Sequence, residues 1–598
     1  MESNVLNMTW SLKELYDGFN CKEFQQDLNT LEAVINTLND YSKINFTDYS
    51  NSNIKIEEFI NIQNNFYKLY NKLWGFASLT SSADAANGEA QKAMEILQNK
   101  HTKIVKTLVS FNKWLRGIDN LEEIIKSSEP LKMHEFYLKE VSKNSKYMLE
   151  EAEEIVLTKM KLTGSNSWEK LQKNLTSNHL VDIDIDGVEK KLPLTVIKNM
   201  LFEGERELRK RAYEAELNSY KAIEEPIAAA LNGIKGEVIT ICNLKGYKSP
   251  LHYTLESSRM SEKNLEAMLT VMRESLVNFR KYYLTKAKVL GYDGPLAYYD
   301  VFAPIGNSQK KYSYEEAKEF IVENFNSYSK KLGDFAKNAF EKRWIDAEPR
   351  RGKRGGAFCN NLHSIGESRI LCTFTGSFKN ISTLAHELGH GYHGHILKNE
   401  SYLNSKYPMP IAETASLFCE TIVRNAAIKN CDEKTAFSIL DGELTNCGQV
   451  IVDIYSRFLF EDELFRRREH SSLSSKEINE LMLWAQKEAY GDAIDSSTLN
   501  PYAWINKPHY YYAERNYYNF PYAFGLLFAK GLYREYCIKE SSFVEQYDKL
   551  LSFTGKSSIE DLGRVMNIDL NDLDFWKSSM EMVNKDIEKY IALANKLV

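Results

Sequence analysis

Proline is scarce in this sequence, with 12 in 598 residues, so the residue that most often interrupts helices is largely missing. The eight cysteines form no C-x-x-C pair and no regular spacing. That excludes a disulfide framework and fits reduced thiols in a cytoplasm. There is no long basic block, and the net charge is −6, which argues against a nucleic-acid binder. The short cluster Arg350-Arg351-Gly352-Lys353-Arg354 reads as a solvated loop. No uninterrupted apolar run reaches the roughly 18 residues of a membrane span. The opening Met1-Glu2-Ser3-Asn4-Val5-Leu6 lacks a basic stretch followed by an apolar one, so no secretory signal is expected. No repeat period stands out. A cytoplasmic protein with no nucleic-acid or membrane partner is expected.

What is present reads mostly as helix. With 43% hydrophobic and 26% charged residues, the composition is that of a globular chain long enough for two or more domains. Apolar residues recur at helical spacing over 23–41, 56–79 and 88–114. Thirty-five tyrosines and 29 phenylalanines imply extensive helix packing. Strand signals are local. The alternation over 181–189 around Asp186-Gly187 predicts a hairpin, and 356–359 and 369–374 predict two further strands. The exposed edge of such a sheet can take up an extended peptide. The chain divides most naturally into a helical region, 1–193, and a catalytic region, 194–598.

The most informative segment is Ile381-Ser382-Thr383-Leu384-Ala385-His386-Glu387-Leu388-Gly389-His390, which contains H-E-x-x-H. On a helix His386 and His390 share a face and can hold one ion, while Glu387 is placed to take a proton from water. Ser382 and Thr383 are candidate caps for that helix. His393 is too far along the axis to bind the same ion and reads as an outer or substrate-facing group. His395 reads as a surface residue. The missing ligand should come from a second helix. Pro410 through Val423 predicts one, with Pro410 at its first position and Glu413 and Glu420 on one face. Glu413 as ligand and Glu420 as an outer partner would complete a His-His-Glu site with an open position.

Three stretches carry a resemblance: Glu348 to Cys359, Thr383 to His393, and Ile411 to Ser416. With the opening Trp10-Ser11-Leu12-Lys13-Glu14-Leu15-Tyr16, they resemble the oligoendopeptidase F branch of the thimet-oligopeptidase-like zinc peptidases. The resemblance implies one zinc ion per chain on His386, His390 and Glu413, with Glu387 as general base. It implies a mostly α, two-lobed helical body around a deep substrate channel, with a small sheet beside the H-E-x-x-H helix. Short peptides would be the substrates, cut at internal bonds.

The segment from His509 to Gly525 is dense in tyrosine. Amide hydrolysis needs a donor for the oxyanion, and a tyrosine hydroxyl suits it because it stays protonated at neutral pH. The resemblance assigns a catalytic role to His509 and to Tyr518 or Tyr522, between which the sequence does not choose. Two rivals remain. A peptidyl-dipeptidase on the same scaffold would need a fixed cationic or hydrogen-bonding group to seize a terminal carboxylate, a task Arg515 or Arg350 could serve. A non-catalytic peptide binder would keep the metal for structure alone.

Overall fold

The computed structural model describes residues 6–306 and 310–597. Helices make up most of the chain, and among the described residues there are five short strands. In chain order these are β1 (Leu180–Ile185), β2 (Val188–Pro193), β3 (Ile345–Asp346), β4 (Phe358–Leu362) and β5 (Glu367–Leu371). The chain forms two compact units, each made of three segments. Met1–Met148, Gln309–Ala426 and Glu535–Ile568 build the first, and Leu149–Ser308, Ala427–Arg534 and Asp569–Val598 the second. The division read near Pro193 falls inside the second unit, where β1 packs against helix Arg206–Tyr220.

In the first unit, helices Lys22–Asn45, Ser52–Ala83 and Gly88–Thr102 bury Leu31, Ile35, Phe59, Phe66 and Leu97 completely. Each such side chain stabilises the fold by about 1.5–3 kcal/mol. The helix expected over 88–114 is broken. Gly88–Thr102 ends, Ile104 turns inward with no exposure, and Val105–Arg116 begins. Lys103 reaches Glu32 at 2.7 Å in that break. Burial of Ile104 outweighs the helical periodicity on either side.

The three-stranded sheet has the order β3-β5-β4, with β3 parallel and β4 antiparallel to β5. Leu362 and Leu371 join the helical core just described, which fixes the sheet to it. The predicted strands are present but shifted. Gly356, at φ +86°, turns the chain before it can extend, so β4 starts at Phe358. The basic cluster is not a solvated loop throughout. Lys353 is 2% exposed and 2.8 Å from the buried Asp346, which Arg350 also holds at 2.6 Å.

The second unit contains the predicted hairpin. Asp186 and Gly187 both have positive φ, +57° and +78°, the signature of a type I′ turn. Val181 and Ile183 point inward, while Asp182 and Asp184 point out. Helix Glu224–Lys245 is long and apolar enough to cross a membrane, but half of its most apolar window is buried in the fold. Asn232, Lys235 and Glu237 interrupt its apolar stretch. Lys235 is fully buried, 2.7 Å from Glu461 and 3.1 Å from Asn516 Oδ1. Such a pair costs desolvation that its own contacts must offset.

Candidate active site

Helix Phe378–Ile396 carries the H-E-x-x-H segment. Its cap is Ser377, not Ser382 or Thr383. The Ser377 hydroxyl accepts from Asn380 N, and Asn380 Oδ1 accepts from Ser377 N at 3.2 Å. That reciprocal pair satisfies backbone donors the helix leaves open. Leu384 and Leu388 are fully buried and set which face looks inward. His386 and His390 are thereby left about one-fifth exposed.

Glycine decides how closely this helix is approached. A Cβ on Gly389 would lie 2.5 Å from Ala415 O and 2.6 Å from Ser416 Cα, and one on Gly394 would strike the Asn361 side chain at 2.2 Å. The helix therefore presses against β4 and against the segment that carries Glu413. Asn361 Nδ2 also donates to His390 O at 3.1 Å.

The second helix is not continuous from Pro410. A short turn, Met409–Ala412, ends at Glu413, and the long helix Thr414–Asn430 starts after it. Glu413 thus sits at a break, where Ser416 Oγ donates to its Oε2 at 2.9 Å. Its Oε2 lies 3.2 Å from His386 Nε2 and 3.4 Å from His390 Nε2. All three donor atoms fall within 4.8 Å of one another. Two ligands bound tetrahedrally to one zinc at ordinary bond lengths stand about 3.3 Å apart, so these residues fit that ion.

Behind the ring, His386 Nδ1 is 3.1 Å from Glu420 Oε2, and Ser382 Oγ donates to Glu420 Oε1 at 2.8 Å. Burial disfavours the charged form of His386, but hydrogen bonds to Glu413 and Glu420 outweigh it and raise its pKa to about 10. Glu413 shows the reverse. Burial pushes its carboxyl up, and the two histidines pull it well below the usual range. Glu387 is 6% exposed, and its Oε2 has no hydrogen-bond partner among the described residues. Burial raises its pKa against the pull of His386 and His390.

His393 faces neither substrate nor ligands. It is fully buried, stacks on Tyr407 at 4.1 Å and meets Thr554 Oγ1 at 2.8 Å. His395 is half-buried against Phe335. Beside the helix, β4 is an edge strand of its sheet. Phe358, Cys359, Asn360 and Asn361 line a cavity of about 590 Å³ there, together with Trp74 and Tyr407.

In the second unit, the tyrosine-rich segment separates into core and surface. Tyr510, Tyr511 and Tyr517 are buried, and Tyr517 is anchored by its hydroxyl on Asp462 at 3.0 Å. Tyr512, Tyr518 and Tyr522 stay half-buried around His509. Ring centres lie 5.0 Å from His509 to Tyr518 and 6.2 Å to Tyr522. The structure brings these three predicted residues together.

The sequence profile of peptidase family M3 matches residues 199–582, and that of Oligopeptidase F matches 117–178. The chain belongs to peptidase family M3. Oligopeptidase PepF of Bacillus subtilis is 23% identical over 98% of this M3 chain and 88% of its own. An oligoendopeptidase F homologue of Borreliella burgdorferi is 24% identical, covering 97% and 98%. Among solved structures, a chain from Chlamydophila abortus superposes with a TM-score of 0.85 at 20% identity, covering 98% of both. Oligoendopeptidase-F of Enterococcus faecium gives 0.70 at 16% identity, covering 96% and 99%. At these identities the structural likeness carries the fold.

Sequence reading of this M3 chain missed four supporting residues. Ser416 lay within a quoted motif without a role, and Ser382 was read as a cap. Asn519 lay within the tyrosine-rich segment without a role, and Arg457 stands in no motif. Only proximity in the fold reveals them.

Proposed function

We propose that this protein is a zinc-dependent oligoendopeptidase that cleaves internal bonds of short, unstructured peptides in the cytoplasm. The observation that carries the reading is the convergence of His386 Nε2, His390 Nε2 and Glu413 Oε2 beside the unpartnered Glu387 Oε2. His386, His390 and Glu413 would hold the zinc, which would supply a Lewis acid for the scissile carbonyl and lower the pKa of a water. Glu387 takes the proton of the attacking water and returns it to the leaving nitrogen. Its burial favours a carboxyl basic enough for that exchange. A hydroxyl of Tyr518 or Tyr522, beside His509, donates to the oxyanion. The edge strand β4 takes the peptide as an added strand, with the cavity along it receiving side chains.

The names of the M3 relatives support an endopeptidase. An exopeptidase needs an uncommitted cation for the terminal carboxylate. Arg350 is already bonded to Asp346, and Arg515 lies over the Tyr518 ring at 5.7 Å. The cytoplasmic assignment rests on the cysteines, all of them free thiols. Its partners are then peptides, with neither nucleic acid nor membrane among them.

The test uses an internally quenched peptide of about ten residues, a length suited to a bound extended strand, blocked at both ends. Zinc-loaded wild type should cleave it, and Glu387→Gln should not while keeping its zinc. Cleavage only after the carboxyl end is unblocked would replace this reading with the exopeptidase one.

A further inference from the structure

Two side chains of the second unit meet at Asn519. Its Oδ1 lies 2.7 Å from His509 Nδ1 and 3.1 Å from Arg457 Nη1, and Arg457 is itself held by Asp453. Asn519 is only 3% exposed. Arginine has donors alone, so the atom facing it must be the amide oxygen. Turning the amide over would set one N–H against another. That oxygen can only accept, so His509 Nδ1 must carry a proton. A neutral imidazole protonated at Nδ1 has a bare Nε2, and Nε2 of His509 makes no hydrogen bond among the described residues.

The neutral ring is the favoured one. Burial lowers the His509 pKa, and the charges of Arg457 and Lys507 act the same way, against the Asn519 hydrogen bond and Glu461. Tyr512, Tyr518 and Tyr522 supply the remaining groups around the ring and carry no charge at neutral pH.

We infer that Asn519, pinned by Arg457, is a positioning residue that locks His509 as the Nδ1–H tautomer, so that Nε2 offers a lone pair to a peptide N–H. In that tautomer His509 does not serve the oxyanion, because a bare nitrogen repels it, and the task belongs to a tyrosine hydroxyl. The role toward a peptide rests on the peptidase reading above; the tautomer does not.

The experiment records ¹⁵N ring signals of the full chain labelled at histidine, at pH 7.5, with His509→Gln to assign the resonance. Wild type should show a protonated Nδ1 and a bare Nε2; a protonated Nε2 overturns the inference. In Asn519→Asp the carboxylate keeps Nδ1–H and stabilises a second proton. Nε2 should then be protonated at pH 7.5, and the acid limb of peptide cleavage should move to higher pH. Asn519→Leu should lose about 10- to 100-fold in kcat with its zinc content unchanged, and wild-type turnover in that variant refutes the positioning role. Should Asn519→Leu misfold, the wild-type spectrum and Asn519→Asp still decide. If zinc-loaded wild type cleaves no peptide, the peptidase reading fails, yet the ring spectrum still reports the tautomer.

Discussion

Glu420 Oε2 approaches His386 Nδ1 to 3.1 Å, on the opposite edge of the ring from Glu413. A carboxylate in that place fixes the ring so that Nε2 is the atom turned toward Glu413 and His390. It also favours a more basic imidazole, which is a better ligand.

Removing that support should weaken zinc binding without removing a ligand. Glu420→Gln is expected to lose about 10- to 100-fold in zinc affinity, measured by competition with a coloured chelator. Ser382→Ala, which deletes the 2.8 Å donor to Glu420 Oε1, should lose less in the same direction. Affinity unchanged in Glu420→Gln would show that the ring is held by packing alone.

Gly389→Ala tests the close approach of the segments that carry the two histidines and Glu413. The new methyl would meet backbone at 2.5 and 2.6 Å, and backbone cannot yield as a flexible side chain does. We expect destabilisation of about 1–3 kcal/mol by urea unfolding and weaker zinc binding, since Glu413 moves with Ala415. Gly88→Ala, with nothing within 4 Å of its new methyl, is the control. Equal stability of both variants would contradict the packing argument.

His393 predicts an acid-sensitive fold. Burial lowers its pKa from 6.5 to about 3, with a nearby His390 charge adding to the effect. The unfolded chain therefore binds a proton that the folded one refuses. Stability from this group is complete above about pH 6.5 and is lost as pH falls toward 3, by up to about 1.4 kcal/mol per pH unit. In His393→Gln the slope of unfolding free energy between pH 6.5 and 4.5 should be shallower than in wild type. Parallel slopes would rule His393 out as the source.

The site was legible where helical geometry alone sets it. His386 and His390 follow from a spacing of four, and Glu387 from its place between them. Glu413 was legible as a residue but not as a conformation. Nothing in Pro410–Val423 breaks a helix, and the turn there depends on packing against Gly389. Ser377 was passed over because its reciprocal partner is Asn380, where the usual pattern has Glu or Gln. The Asp186-Gly187 turn was readable because its chemistry is local. The interleaving of the two units was not, since contacts between residues hundreds of positions apart leave no periodic mark.

That interleaving bears on how the protein is made. The H-E-x-x-H helix emerges from the ribosome well before the stretch that covers its buried side. Tyr392 waits for Asp548, which accepts its hydroxyl at 2.6 Å, and His393 waits for Thr554. Until then a partly apolar helix stands uncovered in a nascent chain extending at roughly 5–20 residues per second. No single cut of the chain yields either unit whole, because each is threaded through the other in sequence. Neither unit is therefore a module that recombination could transplant by one crossover.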